Sequence, residues 1–404
     1  MESNQQDFKN FTEQYHKILC SKQPEFLNKY LSLPLMTRLK GVGLLCGTDW
    51  TPFFKNNFYY SRFDHSVGVA LIVWNFTHDK AQTIAGLLHD VSTPAFSHVA
   101  DFRKGDSLTQ TATEEDNGSM LASSKELLEC LSRDGLTLEQ VNDYHKYPVA
   151  DNEVPQLSAD RLEYMFPSGA ALCGTWSLKE SFTLSEIKQI YNDLTICKNE
   201  DGIIELGFKT QKIAELYCKR TTDIALFLQK CEDKMVMQFP AEILNLAVKL
   251  NLLKEEDFFT KSESEIIEKL DSISGGAHSA VNSAHSAVNS ATSPTPDSAD
   301  FKKFCTYYKT YRSFTSITRS DTSLDGHYCV NIQVKKRYIN PLVAASSSAP
   351  DCATAQQQNS IPKARRLTEV SPEWKQRIDD FLAYKDAPYS CVKLVQCFKT
   401  SALY

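Results

Sequence analysis

Apolar positions in this chain recur mostly at the spacing of helices, and only in two places with the alternation of strands. Phe8, Phe11, Tyr15, Ile18 and Leu19 set the helical rhythm, which predicts helix over residues 5–35. Residues 36–50, MTRLKGVGLLCGTDW, hold three glycines and read as a short helix breaking into a loop. Val69, Ile72, Val73 and Phe76 mark a helix that opens near His65. Asp79 is placed to cap the next helix, which carries Ala81, Ile84, Ala85, Leu87 and Leu88 up to His89 and Asp90. Ser92-Thr93-Pro94 stops it. The polar run 103–119 reads as a loop or lid. Further helices are predicted over 120–133, 136–144, from Ser158 onward, over 183–196, and over 209–272 with a break at Pro240. Ser371-Pro372 predicts a last helix start, with Trp374, Ile378, Phe381 and Leu382 on one face.

Strand signals are few. Asp201-Gly202 between LTIC and IIELGF is a hairpin pattern, and YCVNIQVKKRYI alternates apolar with polar side chains. The expected fold class is therefore mainly α with a small β element. Two stretches fit neither period. Residues 274–300 contain AHSAVNS twice in tandem, and residues 344–363 are similarly poor in large apolar side chains. Neither can offset its own ordering entropy, so both read as disordered insertions. The expected organisation is one domain, residues 1–273, completed by 301–343 and 364–404. His278 and His285 lie in the repeat and are attributed to its duplication.

The bulk numbers narrow the classes. A 404-residue chain with 42% hydrophobic residues can bury a sizeable core. A net charge of −6 argues against a chain-wide electrostatic footprint for nucleic acid. Lys335-Lys336-Arg337 and Arg365-Arg366 are local basic strings and read as solvated. Twelve cysteines without a CxxC pair, and an N-terminal stretch with no basic and apolar leader pattern, suggest free thiols in the cytoplasm or nucleus. No apolar run is long enough for a membrane span. No GxxxxGK[ST] or GxSxG string is present.

The chemistry concentrates between Arg62 and His98, RFDHSVGVALIVWNFTHDKAQTIAGLLHDVSTPAFSH. A carboxylate beside an imidazole, His89-Asp90, sits at the end of an apolar run, where burying an ionisable pair needs a partner. His65 upstream and Asp160 in SADRLEY could complete a set of two imidazoles and two carboxylates around one divalent metal ion. Such a set suits Mn, Fe, Zn or Ni, and Mg less well. His145 and Lys146, in DYHKYP, are candidates to face a bound phosphate.

These residues resemble the HD superfamily of metal-dependent phosphohydrolases. SRFDHSVGV, IAGLLHDVSTPAFSH, NGS at 117–119 and SADRLEY are similar to the branch of deoxynucleotide triphosphohydrolases that includes dGTPases and the sterile-alpha-motif/HD protein. The resemblance is strong over about 36–170. It implies the HD helical fold, metal ligation by His65, His89, Asp90 and Asp160, and hydrolysis of a nucleotide or other phosphoester. By the same resemblance Arg62 and Arg161 contact phosphate, Tyr164 packs on the sugar, and His98 serves as acid or orients water. A homo-oligomer is also compatible with it. Three departures stand out: Thr93 and Glu115 occupy histidine positions, and Leu44 occupies a glutamine position. Glu115 could act as base for water. The alternatives are a nucleoside monophosphate phosphatase, a cyclic-nucleotide phosphodiesterase, or a nucleotide-binding protein without turnover.

Overall fold

The computed structural model describes residues 10–110, 117–175, 178–275, 298–345, 361 and 363–396. It is mainly α-helical, as the apolar spacing predicts. The helix Arg62–Thr77 is central. It packs against Phe11–Leu19, Lys80–Leu88 and Ala159–Leu172. Its residues from His65 to Val73 are all buried, so it presents no solvent face along that length. Ser61 starts it with a capping box. Ser61 Oγ accepts from Asp64 N (3.1 Å), and Ser61 N donates to Asp64 Oδ2 (3.3 Å). That cap fixes the first turn, where His65 sits. Asp79 caps Lys80–Leu88 as expected, accepting from Gln82 N at 3.0 Å.

A second layer is built by Gln211–Phe227 and Cys231–Lys249, the latter packed on Val99–Arg103 and Ala299–Tyr311. The break expected at Pro240 does not occur; the helix runs through it, and the breaks fall at 228–230 and after Lys249. Proline frees the carbonyl four residues earlier, here that of Val236. A Cβ on Gly47 would come within 2.1 Å of that carbonyl oxygen, so only glycine lets this segment pack against the freed group. The expected helix over 5–35 is three pieces, Phe11–Leu19, Leu27–Leu31 and Pro34–Thr37, because Pro24 and Pro34 interrupt it. The expected helix over 136–144 is only short 3-10 turns, Leu138–Gln140 and Tyr144–Lys146.

The β structure is two small sheets. The hairpin β1 (Leu194–Lys198) and β2 (Ile204–Phe208) pairs as Leu194↔Phe208 to Lys198↔Ile204. A separate antiparallel sheet has β3 (Thr318–Ser320) and β4 (His327–Val330) flanking the last strand. The first sheet continues with β5 (Leu342–Ala344), parallel to β2, and β6 (Ala364–Arg366), antiparallel to β5. β7 (Tyr389–Lys393) is the centre of the second. The alternating run at YCVNIQVKKRYI yields only the short β4, and residues 331–340 continue without strand pairing. Cys329 and Cys391 are register partners on β4 and β7 and are joined as a disulfide, which corrects the expectation of free thiols throughout.

Two other corrections concern the C-terminal part. Arg366 is not solvated: its guanidinium donates to Glu205 Oε1 (2.7 Å) and Oε2 (2.9 Å) in a buried pair. Glu205 Oε1 also accepts from Leu157 N at 3.0 Å, so the sheet holds the residue before the Ser158 cap. Leu382 is 39% exposed, whereas Trp374, Ile378 and Phe381 of the same helix are buried. One apolar cluster extends from Phe11 to Val392. The two expected insertions lie almost wholly outside the described residues. At the edges of the first, Glu263–Gly275 and Ala299–Tyr311 are helical. No helix among the described residues is long and apolar enough to cross a membrane.

Candidate metal centre

The four proposed ligands converge from three elements. His65 comes from the first turn of Arg62–Thr77. His89 is the C-cap of Lys80–Leu88, and Asp90 follows it in the turn rather than in the helix. Asp160 comes from the first turn of Ala159–Leu172, which Ser158 caps by accepting from Arg161 N (3.2 Å). His65 Nε2 lies 3.2 Å from His89 Nε2 and 3.1 Å from Asp160 Oδ1. His89 Nε2 lies 3.7 Å from Asp160 Oδ1. Asp90 Oδ2 is 3.6 and 3.5 Å from the two imidazole nitrogens. Ligand bonds of about 2.1 Å put neighbouring donors about 3.0–3.4 Å apart; His65, His89 and Asp160 form a group that could hold one metal ion, and Asp90 stands beside it at 3.5–3.6 Å from the two imidazoles.

Three of the four donors are oriented by a second partner outside the cluster. His65 Nδ1 is 2.5 Å from Glu163 Oε2, and His89 Nδ1 is 2.7 Å from the Gly86 carbonyl oxygen. Protons on both Nδ1 atoms leave two Nε2 lone pairs facing each other, an arrangement that calls for a cation between them. Burial disfavours charge on His65, but Glu163 and Asp160 outweigh it and hold its pKa up at about 10. Without a metal a proton takes the cation's place there. Burial would raise the Asp90 pKa, yet Arg62, His89 and His65 together hold it well below the usual carboxylate range. Arg62 Nη1 donates to Asp90 Oδ2 at 2.8 Å. Thr93 Oγ1 donates to Asp90 Oδ1 at 2.9 Å. Thr93 therefore has a place in the site, as a brace on a ligand.

Glu163 is the residue that sequence reasoning missed. It is fully buried, and Tyr60 Oη donates to its Oε1 at 2.6 Å. Its signal was present: it stands three residues after Asp160, one turn along the same helix.

The cluster lines a cavity of about 180 Å³. Arg62, His98 and Tyr164 line it. Lys335 and Arg337 line it too, against the expectation of a solvated string. Residues 105–110 fold over them: Lys335 Nζ donates to Thr109 O (2.9 Å) and Arg337 Nη2 to Gln110 Oε1 (2.6 Å). Arg161, in contrast, turns away. Its Nε donates to Gln156 O at 2.7 Å and its Nη2 to Asn152, so it braces the loop before its own helix and does not line the cavity. His145 pairs with Asp151 and Lys146 with Glu139 O, also away from the cavity. Glu115 lies outside the described residues. Leu44 lines the cavity, and Cys46 does so with a thiol that burial pushes up to about 12.

The turn that presents His98 is held from below. Phe96 and Ser97 both adopt positive φ, 68° and 50°. Glu263 Oε1 accepts from Phe96 N (2.8 Å) and Gly43 N (2.9 Å), and Oε2 accepts from Trp50 Nε1 (2.7 Å). Ser97 Oγ donates to Gly43 O (2.7 Å) and accepts from Arg62 Nε (3.1 Å). Burial, aided by Asp49 nearby, raises the Glu263 pKa from 4.5 to about 7. The folded state thus holds this proton more tightly than the unfolded one, and stability falls as pH rises from about 4.5 to 7. The loss amounts to about 3 kcal/mol for this group. Urea unfolding at pH 5 and pH 8 is expected to show that slope in the native protein and a flatter one in Glu263→Gln.

No protein-family model matches the chain. It is 24% identical over 246 residues to the uncharacterized protein YdhJ of Bacillus subtilis, covering 58% of this chain and 67% of that one. It is 28% identical over 127 residues to the metal-dependent phosphohydrolase cns2 of Cordyceps militaris, covering 31% of this chain and 35% of that one. A solved phosphohydrolase from Bacteroides thetaiotaomicron superposes with a TM-score of 0.56 at 14% identity, over 93% of this chain and 97% of its own. That is a shared fold. A hypothetical protein from Aquifex aeolicus gives the same TM-score and identity over 92% and 93%.

Proposed function

We propose that this protein is a metal-dependent phosphohydrolase of the HD type acting on nucleotides. The observation that carries the reading is the grouping of His65, His89 and Asp160, with Asp90 beside them, in the lining of one cavity. The name of the Cordyceps militaris relative, and the shared fold of the Bacteroides structure, support it. A bound divalent cation would polarise a phosphoryl oxygen and acidify water there.

The chain's own residues supply the rest. Arg62 braces Asp90 and presents positive charge to the cavity; Lys335 and Arg337 do so from the opposite chain segment. Together they offset the charge that accumulates on a phosphoryl group in transfer. His98 Nδ1 is 2.9 Å from Asp101 Oδ2. That contact fixes the Nδ1 proton and leaves Nε2 as the atom that exchanges a proton with water or the leaving group. Burial lowers the His98 pKa, which keeps the ring neutral near pH 7. Tyr164 provides a flat wall for the sugar.

Within this class, a (deoxy)nucleoside triphosphate is the reading favoured by three cationic side chains in one lining. A nucleoside monophosphate is the second reading, favoured by size: about 180 Å³ is below the about 300–1,000 Å³ of most small-molecule clefts. The test is the purified protein loaded with Mn, its metal content measured on the same sample, and offered a panel of nucleotides. Inorganic triphosphate as product selects the first reading and orthophosphate the second. Stoichiometric metal with no turnover on any nucleotide refutes the enzyme.

A further inference from the structure

The cavity holds a third carboxylate that the metal centre does not use. Asp233 lies in the first turn of Cys231–Lys249 and lines the cavity. It is only 9% exposed, and it makes no hydrogen bond or ion pair with any described residue. Asp90 and Asp160, the other carboxylates of the lining, both face the imidazoles of the metal centre; Asp233 does not belong to that cluster. Leu172, Ile224, Leu228 and Met237 give the same cavity apolar lining, and Arg337 lies within electrostatic reach of Asp233.

The Asp233 oxygens open into the cavity, so a ligand there can complete an acceptor that its own fold leaves without a donor. A negative charge would also repel a phosphate, so this end of the cavity suits the other end of a substrate. We infer that Asp233 is a specificity residue that accepts hydrogen bonds from the leaving group of the phosphoester, a nucleoside whose hydroxyl or N–H donors reach it between those apolar walls. The inference rests on the phosphohydrolase reading and adds which part of the substrate is read, and by what. Burial raises the Asp233 pKa to about 7, with Glu232 adding to it and Lys234 and Arg337 opposing. A carboxyl held in that state is one that a donor-bearing ligand would ionise more fully.

The experiment compares the native full chain with Asp233→Asn, both loaded with Mn. Two probes are used: guanosine 5′-monophosphate, and p-nitrophenyl phosphate, whose leaving group has no hydrogen-bond donor. The variant is expected to lose about 100-fold in kcat/KM on the nucleotide and to stay within about twofold on the nitrophenyl ester. Deoxy sugars and inosine 5′-monophosphate, each lacking one donor or set of donors, then show whether hydroxyl or base N–H is read. The analogue missing the donor that is read falls in the native protein and no further in the variant. Because Asp233 has no hydrogen bond or ion pair to lose and is costly to charge where it is buried, the melting temperature of the variant stays level or rises, which a structural role would not allow. Equal losses on both probes, or none on either, overturn the inference. If the native protein cleaves neither probe but releases guanosine from guanosine 5′-triphosphate, that nucleotide replaces the monophosphate in the same comparison; if it cleaves none of the three, the phosphohydrolase reading is what fails. Calorimetric binding of guanosine then decides: weakened binding in the variant supports a nucleoside-reading Asp233, and equal or absent binding in both proteins overturns it.

Discussion

Asp160→Asn is expected to empty the metal centre and reduce phosphoester turnover by more than about a thousandfold, some 4 kcal/mol of transition-state stabilisation. Asp160 Oδ1 is 3.1 Å from His65 Nε2, and the amide keeps that volume while removing the charge. Asp90→Ala is expected to lose as much activity and also stability. It strips the partner from the buried Arg62 guanidinium, and an orphaned buried charge costs about 3–5 kcal/mol. The two variants separate the two roles. Metal content by mass spectrometry and unfolding by urea are measured on both. Normal turnover in Asp160→Asn with the metal gone would refute the mechanism.

The second large effect is expected away from the ligands, at Glu163. Glu163→Gln is expected to weaken metal binding by about 10–100-fold, as loss of a carboxylate behind a ligating histidine does. The same defect is expected from Gly68→Ala. A Cβ at position 68 would meet Glu163 Oε1 at 2.3 Å and its Cδ and Cγ at 2.7 Å. The glutamate cannot step aside, because Tyr60 and His65 hold its two oxygens. In the Glu163→Ala background the obstruction is gone. There Gly68→Ala should be neutral, or stabilising by about 0.5–1 kcal/mol through helix propensity. A double-mutant cycle read by chemical denaturation, with metal titration of all four proteins, tests this. Additive effects would show that the two residues do not meet as described.

The proposed metal ligands were singled out mainly by the resemblance of SRFDHSVGV, IAGLLHDVSTPAFSH and SADRLEY to the HD superfamily; the carboxylate beside an imidazole after AGLLH drew attention to the spot but fits a buried His-Asp hydrogen bond as well. The helices that carry them were legible from period and from Asp79. What stayed hidden depended on distant chain. Glu163 looks like an ordinary charge on a helix until Tyr60 and His65 close over it. Lys335 and Arg337 alternate as a solvated strand end would, and only the return of residues 105–110 encloses them. Arg161 had the right neighbour in Asp160 but the wrong direction, since residues one apart on a helix diverge by about 100°. Pro240 looked like a break because nothing near it in sequence reveals Gly47.

Gly68 and Glu163 have a consequence for descent. While the carboxylate stands, every side chain larger than hydrogen is barred at 68; once it is lost, the bar lifts and nothing selects for the bare backbone. The two positions should therefore be inherited as one unit. In a lineage that has abandoned the metal, the glycine should be among the first residues to drift.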